Sequence, residues 1–266
     1  MVDGTTRIEE LTAEGGSNGA DEVEFQRWMS IEPGGAQRVM RLVGEPLIDG
    51  ILRLRTYGVG NIPSDGAALL CPNHASYLDP FIHARGLPRI VRFMAKSEVF
   101  SWPLAGRWIR KVGGFPVRRG QRDALAMRMA EQLLRDGQLV AVYPEGTTYR
   151  DNRELGPSKS GPARLVHATG VPVIPVASWG NKPRRFHGRR MYAVPRFTTV
   201  YGPPIDCSDL IHEGIQDSEA IELIRDRIWT AVHAVYTVAE RLHWERPDGD
   251  SLPAWATFSW QQPERR

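Results

Sequence analysis

The sequence predicts an α/β fold, a sheet covered by helices, and two observations carry that prediction. Short apolar runs ending in turns recur along the chain, among them Ala67 to Cys71, Val140 to Tyr143 and Val171 to Ala177. Segments whose apolar residues recur at helical spacing alternate with them, and this alternation buries a sheet beneath helices. The length of 266 residues suits one main domain with tails, and a hydrophobic content of 41% is enough for a core. No internal repeat is present.

Residues 1–35 are polar, with an acidic excess and little apolar periodicity, so they read as a disordered acidic tail rather than a signal peptide. The main domain is expected over residues 36–245. It opens with an N-terminal amphipathic helical segment at 36–55, where Val39, Leu42, Val43, Leu47, Ile48, Ile51 and Leu52 recur among Arg38, Arg41, Arg53 and Arg55. Pro46 is expected to bend or split it. Its apolar face can pack on the core or rest on a membrane. Ala67 to Cys71 reads as a buried strand, and Gly113 to Gly120 is a further apolar run ending in a turn. Gln121 to Asp136 reads as a helix with Leu125, Met129 and Leu133 on one face and Gly137 as its C-cap. It feeds a strand at Leu139 to Tyr143. A short helix at Ser160 to Thr169 ends at Gly170 and feeds Val171 to Ala177; His167 on it reads as structural. Met191 to Tyr201 suggests another strand, and Ser218 to Leu242 a long closing helix. From Glu245 onward Pro, Gly and Trp mix without periodicity, so residues 246–266 read as a loosely ordered tail. No apolar stretch is long enough to span a bilayer. Cys71 and Cys207 cannot build a disulfide framework, which favours a reducing, cytoplasmic compartment, and Cys71 reads as a small buried hydrophobe.

The chemistry starts at Asn73-His74-Ala75-Ser76-Tyr77-Leu78-Asp79-Pro80. His74 can take a proton near neutral pH, and a carboxylate can hold its ring in one tautomer. The spacing alone is not distinctive, because His212 and His243 are also followed at the fifth position by an aspartate, Asp217 and Asp248. Only His74 follows a buried strand, and strand ends are where α/β folds build sites. Five residues along a helix is a rotation of about 500°, so His74 and Asp79 meet only if a turn intervenes. Pro80 disfavours helical geometry at Asp79, and Ser76 or Asn73 can close such a turn. The competing reading has His74 as a cap and Asp79 as a helix N-cap. Ser76 as the nucleophile of a serine hydrolase lacks the Gly-x-Ser-x-Gly turn, and no His/Cys cluster at ligand spacing points to a metal.

Four blocks stand in order: Asn73-His74 with Asp79; Gly113 to Gly120 with Arg119; Tyr143-Pro144-Glu145-Gly146-Thr147; and Gly170 to Ala177 with Pro172 and Pro175. As a set they resemble the glycerolipid acyltransferases, the family that includes 1-acylglycerol-3-phosphate acyltransferases, over roughly residues 36 to 205. The resemblance implies a mixed sheet flanked by helices, with a His-Asp pair in a cleft and a basic pocket nearby. It implies His74 as general base, Asp79 as its orienter, Arg119 as a phosphate contact, and Glu145, Gly146 and Thr147 as the acceptor-binding block. Two positions depart from the family pattern: Thr148 stands where an arginine is frequent, and Arg118 where an acid is. Arg150 is the nearest replacement for the missing arginine, and Lys159, in a turn before a helix, can add charge. The implied reaction moves an acyl chain from acyl-CoA, or acyl carrier protein, to the hydroxyl of a lysophospholipid. Lysophosphatidate is the leading acceptor, giving phosphatidic acid, with no metal or resident cofactor. A phosphate-free acceptor such as a glycolipid, or a non-catalytic lipid-binding protein of the same fold, are the alternatives.

The net charge of +3 conceals a basic stretch at 89–122, which holds nine Lys and Arg against Glu98 alone, with Phe93, Phe100, Trp102, Trp108 and Phe115 interleaved. A solvated face is the plain explanation of a charge run. The mixture of Trp and Arg also suits an anionic membrane surface or the phosphates of coenzyme A. No nucleic-acid-binding motif accompanies it. The expected location is therefore cytoplasmic, peripherally associated with the inner face of the cell membrane.

Overall fold

A computed structural model of the chain describes residues 17–31, 35, 42, 44–76, 78–118, 123–148, 155–180, 184–186, 189–191 and 196–261. The helices are α1 (Ser17–Met29), α2 (Glu45–Leu52), α3 (Asp79–Ile82), α4 (Pro103–Lys111), α5 (Ala124–Arg135), α6 (Gly161–Thr169) and α7 (Asp217–Glu245). The strands are β1 (Arg55–Tyr57), β2 (Ala68–Pro72), β3 (Val91–Lys96), β4 (Gly114–Val117), β5 (Leu139–Ala141), β6 (Val173–Gly180), β7 (Arg184–Phe186), β8 (Arg189–Met191) and β9 (Phe197–Tyr201). Seven of these form one sheet in the order β1-β9-β6-β2-β5-β3-β4, and β7 pairs with β8 apart from it. The strands from β6 to β4 are mutually parallel; β9 runs antiparallel to β6 and parallel to β1. The sheet is therefore mixed and flanked by helices, as the sequence predicts.

Strand β2 lies at the centre and is buried throughout. Its unbroken apolar run follows from burial on both faces, the condition of parallel strands covered by helices. Alternate side chains enter opposite halves of the core. Leu69 and Cys71 join Met129, Leu133, Val166 and Ile228, whereas Ala68 and Leu70 join Val91, Phe93, Ile174 and Tyr201.

The helices start and stop where local chemistry allows. Helix α5 starts three residues later than the periodicity suggests: Asp123 caps it, its Oδ1 accepting from Ala126 N at 3.0 Å. Gly137, at φ 76°, ends it, with its N–H donating to Leu134 O and that of Gln138 to Leu133 O. Gly170 ends α6 in the same left-handed region. Helix α7 buries Ile224, Ile228, Val232, Val235, Ala239 and Leu242, a stripe at three- and four-residue spacing that lies along β6 and β9. None of the helices among the described residues is long and apolar enough to cross a membrane.

Three segments differ from expectation, whereas Pro46 sits in the first turn of α2, where its missing N–H has no partner to lose. Residues 36–41 and 43 of that stretch lie outside the described residues. Within 1–35, the part from Ser17 to Met29 is helical, and Phe25 and Trp28 are buried with the guanidinium groups of Arg128 and Arg110 over their rings. The run Met191 to Tyr201 divides between β8 and β9. After Glu245 the chain makes specific contacts: Arg55 Nη1 donates to Arg246 O and Pro247 O at 2.7 and 2.8 Å, Gly58 N donates to Asp250 O at 2.9 Å, and Phe258 is buried. That segment covers the β1 end of the sheet and satisfies edge groups there.

Candidate active site

The site forms where β2 and β5 leave the sheet. At the end of β2, Asn73 locks to the neighbouring strand: its Nδ2 donates to Ser178 O at 3.2 Å and its Oδ1 accepts from Ser178 N at 2.7 Å. The next residue, His74, turns its ring to Asp79, with Nδ1 to Oδ2 at 2.9 Å. The same carboxylate oxygen accepts from Ala75 N and Ser76 N at 2.7 and 2.8 Å, and Leu78 N donates to Ser76 Oγ at 3.1 Å. This is a turn closed on a carboxylate. Asp79 opens α3 but faces back to residues 75 and 76, so it is an anchor of the turn and not an N-cap. An ionised carboxylate only accepts hydrogen bonds, so Nδ1 carries the proton and the lone pair lies on Nε2. His74 is 3% exposed and Asp79 1%.

The wall opposite comes from the turn after β5. Glu145 is buried, and its Oε1 accepts from His74 N at 2.9 Å while Oε2 accepts from Gly156 N at 3.4 Å. Burial pushes its carboxyl up to about 7, although the two backbone N–H groups favour the ionised form. The Tyr143 ring lies against the His74 ring, with centroids 4.3 Å apart. Gly146 takes φ 65°, and a Cβ there would meet the Lys159 side chain at 2.9 Å. Thr148 brings its Oγ1 to 3.1 Å from His74 Nε2.

Behind this wall lies a buried polar network. His83 Nε2 meets Ser178 Oγ at 2.7 Å and its Nδ1 meets Tyr143 OH at 3.2 Å, while Ser178 Oγ meets Thr199 Oγ1 at 2.7 Å. Burial lowers the His83 pKa to about 4, so it is neutral at physiological pH. The network links Tyr143, which packs on the His74 ring, to Ser178, which holds Asn73.

The other two His-x-x-x-x-Asp occurrences do not form pairs. His212 Nδ1 accepts from Gly214 N at 3.1 Å, and His243 Nδ1 meets Thr198 Oγ1 at 3.2 Å. Asp217 lies 3.5 Å from His167 instead. Beside the site is a cavity of about 490 Å³, lined by Met94, Val117, Met127, Val142, Tyr143 and Gly146, with Arg118, Lys159 and Arg164 among its polar residues.

The family model described as Acyltransferase matches residues 53–179, a span that runs from just before β1 into β6 and holds His74, Asp79, Glu145 and Thr148. These residues form an acyltransferase domain. Its relatives include a 1-acyl-sn-glycerol-3-phosphate acyltransferase of Bacillus subtilis, 25% identical over 60% of this chain and 77% of that protein. They also include a lyso-ornithine lipid O-acyltransferase of Rhodobacter capsulatus, 30% identical over 60% of this chain and 64% of that protein. The chain spans only 36% of the length of two chloroplastic relatives. The crystal structure of the 1-acyl-sn-glycerophosphate acyltransferase PlsC from Thermotoga maritima shares the fold, with a TM-score of 0.53 and 23% identity, covering 79% of this chain and 86% of that one.

In this domain His74, Asp79, Glu145, Gly146 and Lys159 converge. Thr147 is exposed on the same turn. Arg119 and Arg150 lie outside the described residues. Sequence reasoning missed His83, Ser178 and Gly156, which lie in no motif. It also noted Thr148 only as a departure from the family pattern. A buried histidine in an apolar stretch was the one available signal for His83.

Proposed function

We propose that the chain transfers an acyl group from acyl-CoA to the hydroxyl of a lysophospholipid, with 1-acylglycerol-3-phosphate as the leading acceptor and phosphatidic acid as product. The observation that carries this is the orientation of His74 by Asp79, which leaves Nε2 with its lone pair directed away from the carboxylate. An alcohol is a weak nucleophile until a base begins to remove its proton. Nε2 takes that proton as the acceptor oxygen attacks the thioester carbonyl. The carbonyl–sulfur bond breaks, His74 returns the proton to the departing sulfur, and the products are an ester and free coenzyme A. Asp79 stabilises the imidazolium in between. The donor is a substrate, and no resident cofactor or metal takes part. Acyl carrier protein is the alternative donor.

The cavity supports the lipid side of the reading. Met94, Val117, Met127 and Val142 suit an acyl chain, and Arg118, Lys159 and Arg164 suit a phosphate. A second acceptor class is favoured by the lyso-ornithine lipid enzyme among the relatives. Labelled palmitoyl-CoA offered with lysophosphatidate, lyso-ornithine lipid and monoacylglycerol separates them. Lysophosphatidate is expected to give the highest rate, and Arg119→Lys to raise its apparent KM with a smaller effect on the donor, since lysine cannot reproduce a bidentate contact. Equal rates on all three acceptors, unchanged in Arg119→Lys, would reject a phosphate-reading site.

The reading includes peripheral attachment to the cytoplasmic face of an anionic membrane. In α4, Leu104, Arg107, Trp108 and Lys111 are exposed and fall within a sector of about 100°. Leu104 is 85% exposed, and Trp102, just before the helix, 60%. The inner side of α4 is already packed, for Gly106 lies against the Phe100 backbone and Ile109 against Gly114. An outward face that pairs large apolar side chains with cations fits shallow insertion among anionic headgroups. Vesicle co-sedimentation is expected to rise with anionic lipid, to fall with salt, and to weaken in Leu104→Ser. Binding indifferent to all three would leave α4 a solvated face.

A further inference from the structure

The contact between Thr148 and His74 has a direction. Asp79 Oδ2 receives Ala75 N, Ser76 N and the His74 ring, and a carboxylate has no proton to give. Nδ1 is therefore the protonated nitrogen, and Nε2 can only accept. At 3.1 Å the Thr148 hydroxyl is the donor to Nε2. This is the bond that an acceptor hydroxyl must make at the start of the reaction. One lone pair cannot serve both hydroxyls.

We propose that Thr148 is a placeholder for the acceptor: its hydroxyl occupies the proton-accepting position of His74 until the acceptor displaces it, and so keeps water from that position. This inference rests on the acyl-transfer reading above. A base left open beside a bound thioester would activate water, giving free fatty acid and coenzyme A. A hydroxyl fixed to the turn after β5 fills the lone pair without being a free nucleophile. Thr148 is half-buried and needs only a side-chain rotation to withdraw, whereas His74 is held by Asp79 on one side and by Glu145 at its backbone. The movable partner of the pair is Thr148. The geometry also matches a nucleophile–base–carboxylate triad, in which Thr148 itself would carry the acyl group. The placeholder reading is favoured because direct transfer from the thioester to the acceptor leaves nothing for a covalent step to achieve.

The test compares Thr148→Val, of nearly the same shape but lacking the hydroxyl, with Thr148→Ser, which keeps it. In Thr148→Val the acceptor KM is expected to fall about two- to tenfold, the range set by losing one competing neutral hydrogen bond, with kcat retained. Hydrolysis of palmitoyl-CoA without acceptor is expected to rise in the same variant. Thr148→Ser is expected to behave as the unaltered chain. In protein labelled with 15N-histidine, the Nε2 resonance of His74 is expected to shift in Thr148→Val and stay in Thr148→Ser. Loss of transfer by more than about a hundredfold in a folded Thr148→Val, with an acyl adduct on Thr148 by intact mass, would replace the placeholder by a nucleophile. Unchanged KM and unchanged hydrolysis would make the hydroxyl passive. The resonance needs no turnover, so a chain that transferred nothing to any lysolipid would refute the acyl-transfer reading while leaving the contact itself measurable.

Discussion

His74→Ala is expected to lower acyl transfer by about a thousandfold while leaving a folded protein, the scale on which removing a positioned general base acts. The fold should tolerate the change because Asp79 keeps its two backbone donors, Ala75 N and Ser76 N, when the ring is gone. Asp79→Asn should fall nearly as far. The amide can no longer stabilise the imidazolium, and if its NH2 turns inward it meets three N–H groups with nothing to accept them. His212→Ala and His243→Gln are the controls, since neither ring meets its own aspartate. Initial rates with palmitoyl-CoA and lysophosphatidate, beside a thermal melt, read all four. A folded His74→Ala with near-normal activity would end the general-base mechanism.

Glu145→Gln is expected to lower activity about ten- to a hundredfold and stability by about 1–3 kcal/mol. Both Glu145 oxygens accept backbone N–H groups, from His74 and from Gly156. A glutamine offers one acceptor and turns an NH2 on the other donor, so the base shifts at its own backbone. The carboxylate also sets a pH dependence. Its pKa is raised from 4.5 to about 7 in the folded chain, so between those values the folded state holds the proton more tightly than the unfolded one. The contribution to stability is greatest below the unfolded value and is lost as pH rises towards 7; it amounts to about 3 kcal/mol at most. Urea unfolding of the unaltered chain and of Glu145→Gln at a series of pH values isolates it as the difference between the two curves. Parallel curves between pH 4 and 8 would show that folding leaves the Glu145 pKa unshifted.

The His74–Asp79 pair was legible because it is local. Five residues, a proline after the aspartate and a buried strand before the histidine define one turn. The contacts that hold the pair in register are remote. Glu145 reaches back 71 residues to the His74 N–H, and Ser178 braces Asn73 across 105. Nothing in either segment names its partner. The same distance explains His83, whose role comes from Tyr143 and Ser178, and Thr148, whose hydroxyl finds the base across 74 residues.

The alternation of buried strands and amphipathic helices, the turn that joins His74 to Asp79, and the four blocks that resemble those of the acyltransferases are all written in the sequence. These rest on local periodicity, on turn chemistry and on motif order, which a linear chain carries in full. The tertiary structure alone decided that β2 lies between β5 and β6, so that the ends of three strands meet. It decided that Glu145 accepts from the His74 backbone and that the Thr148 hydroxyl lies 3.1 Å from His74 Nε2. Strand order is set by how the two halves of the core pack against the sheet, and that packing depends on residues far apart in the chain.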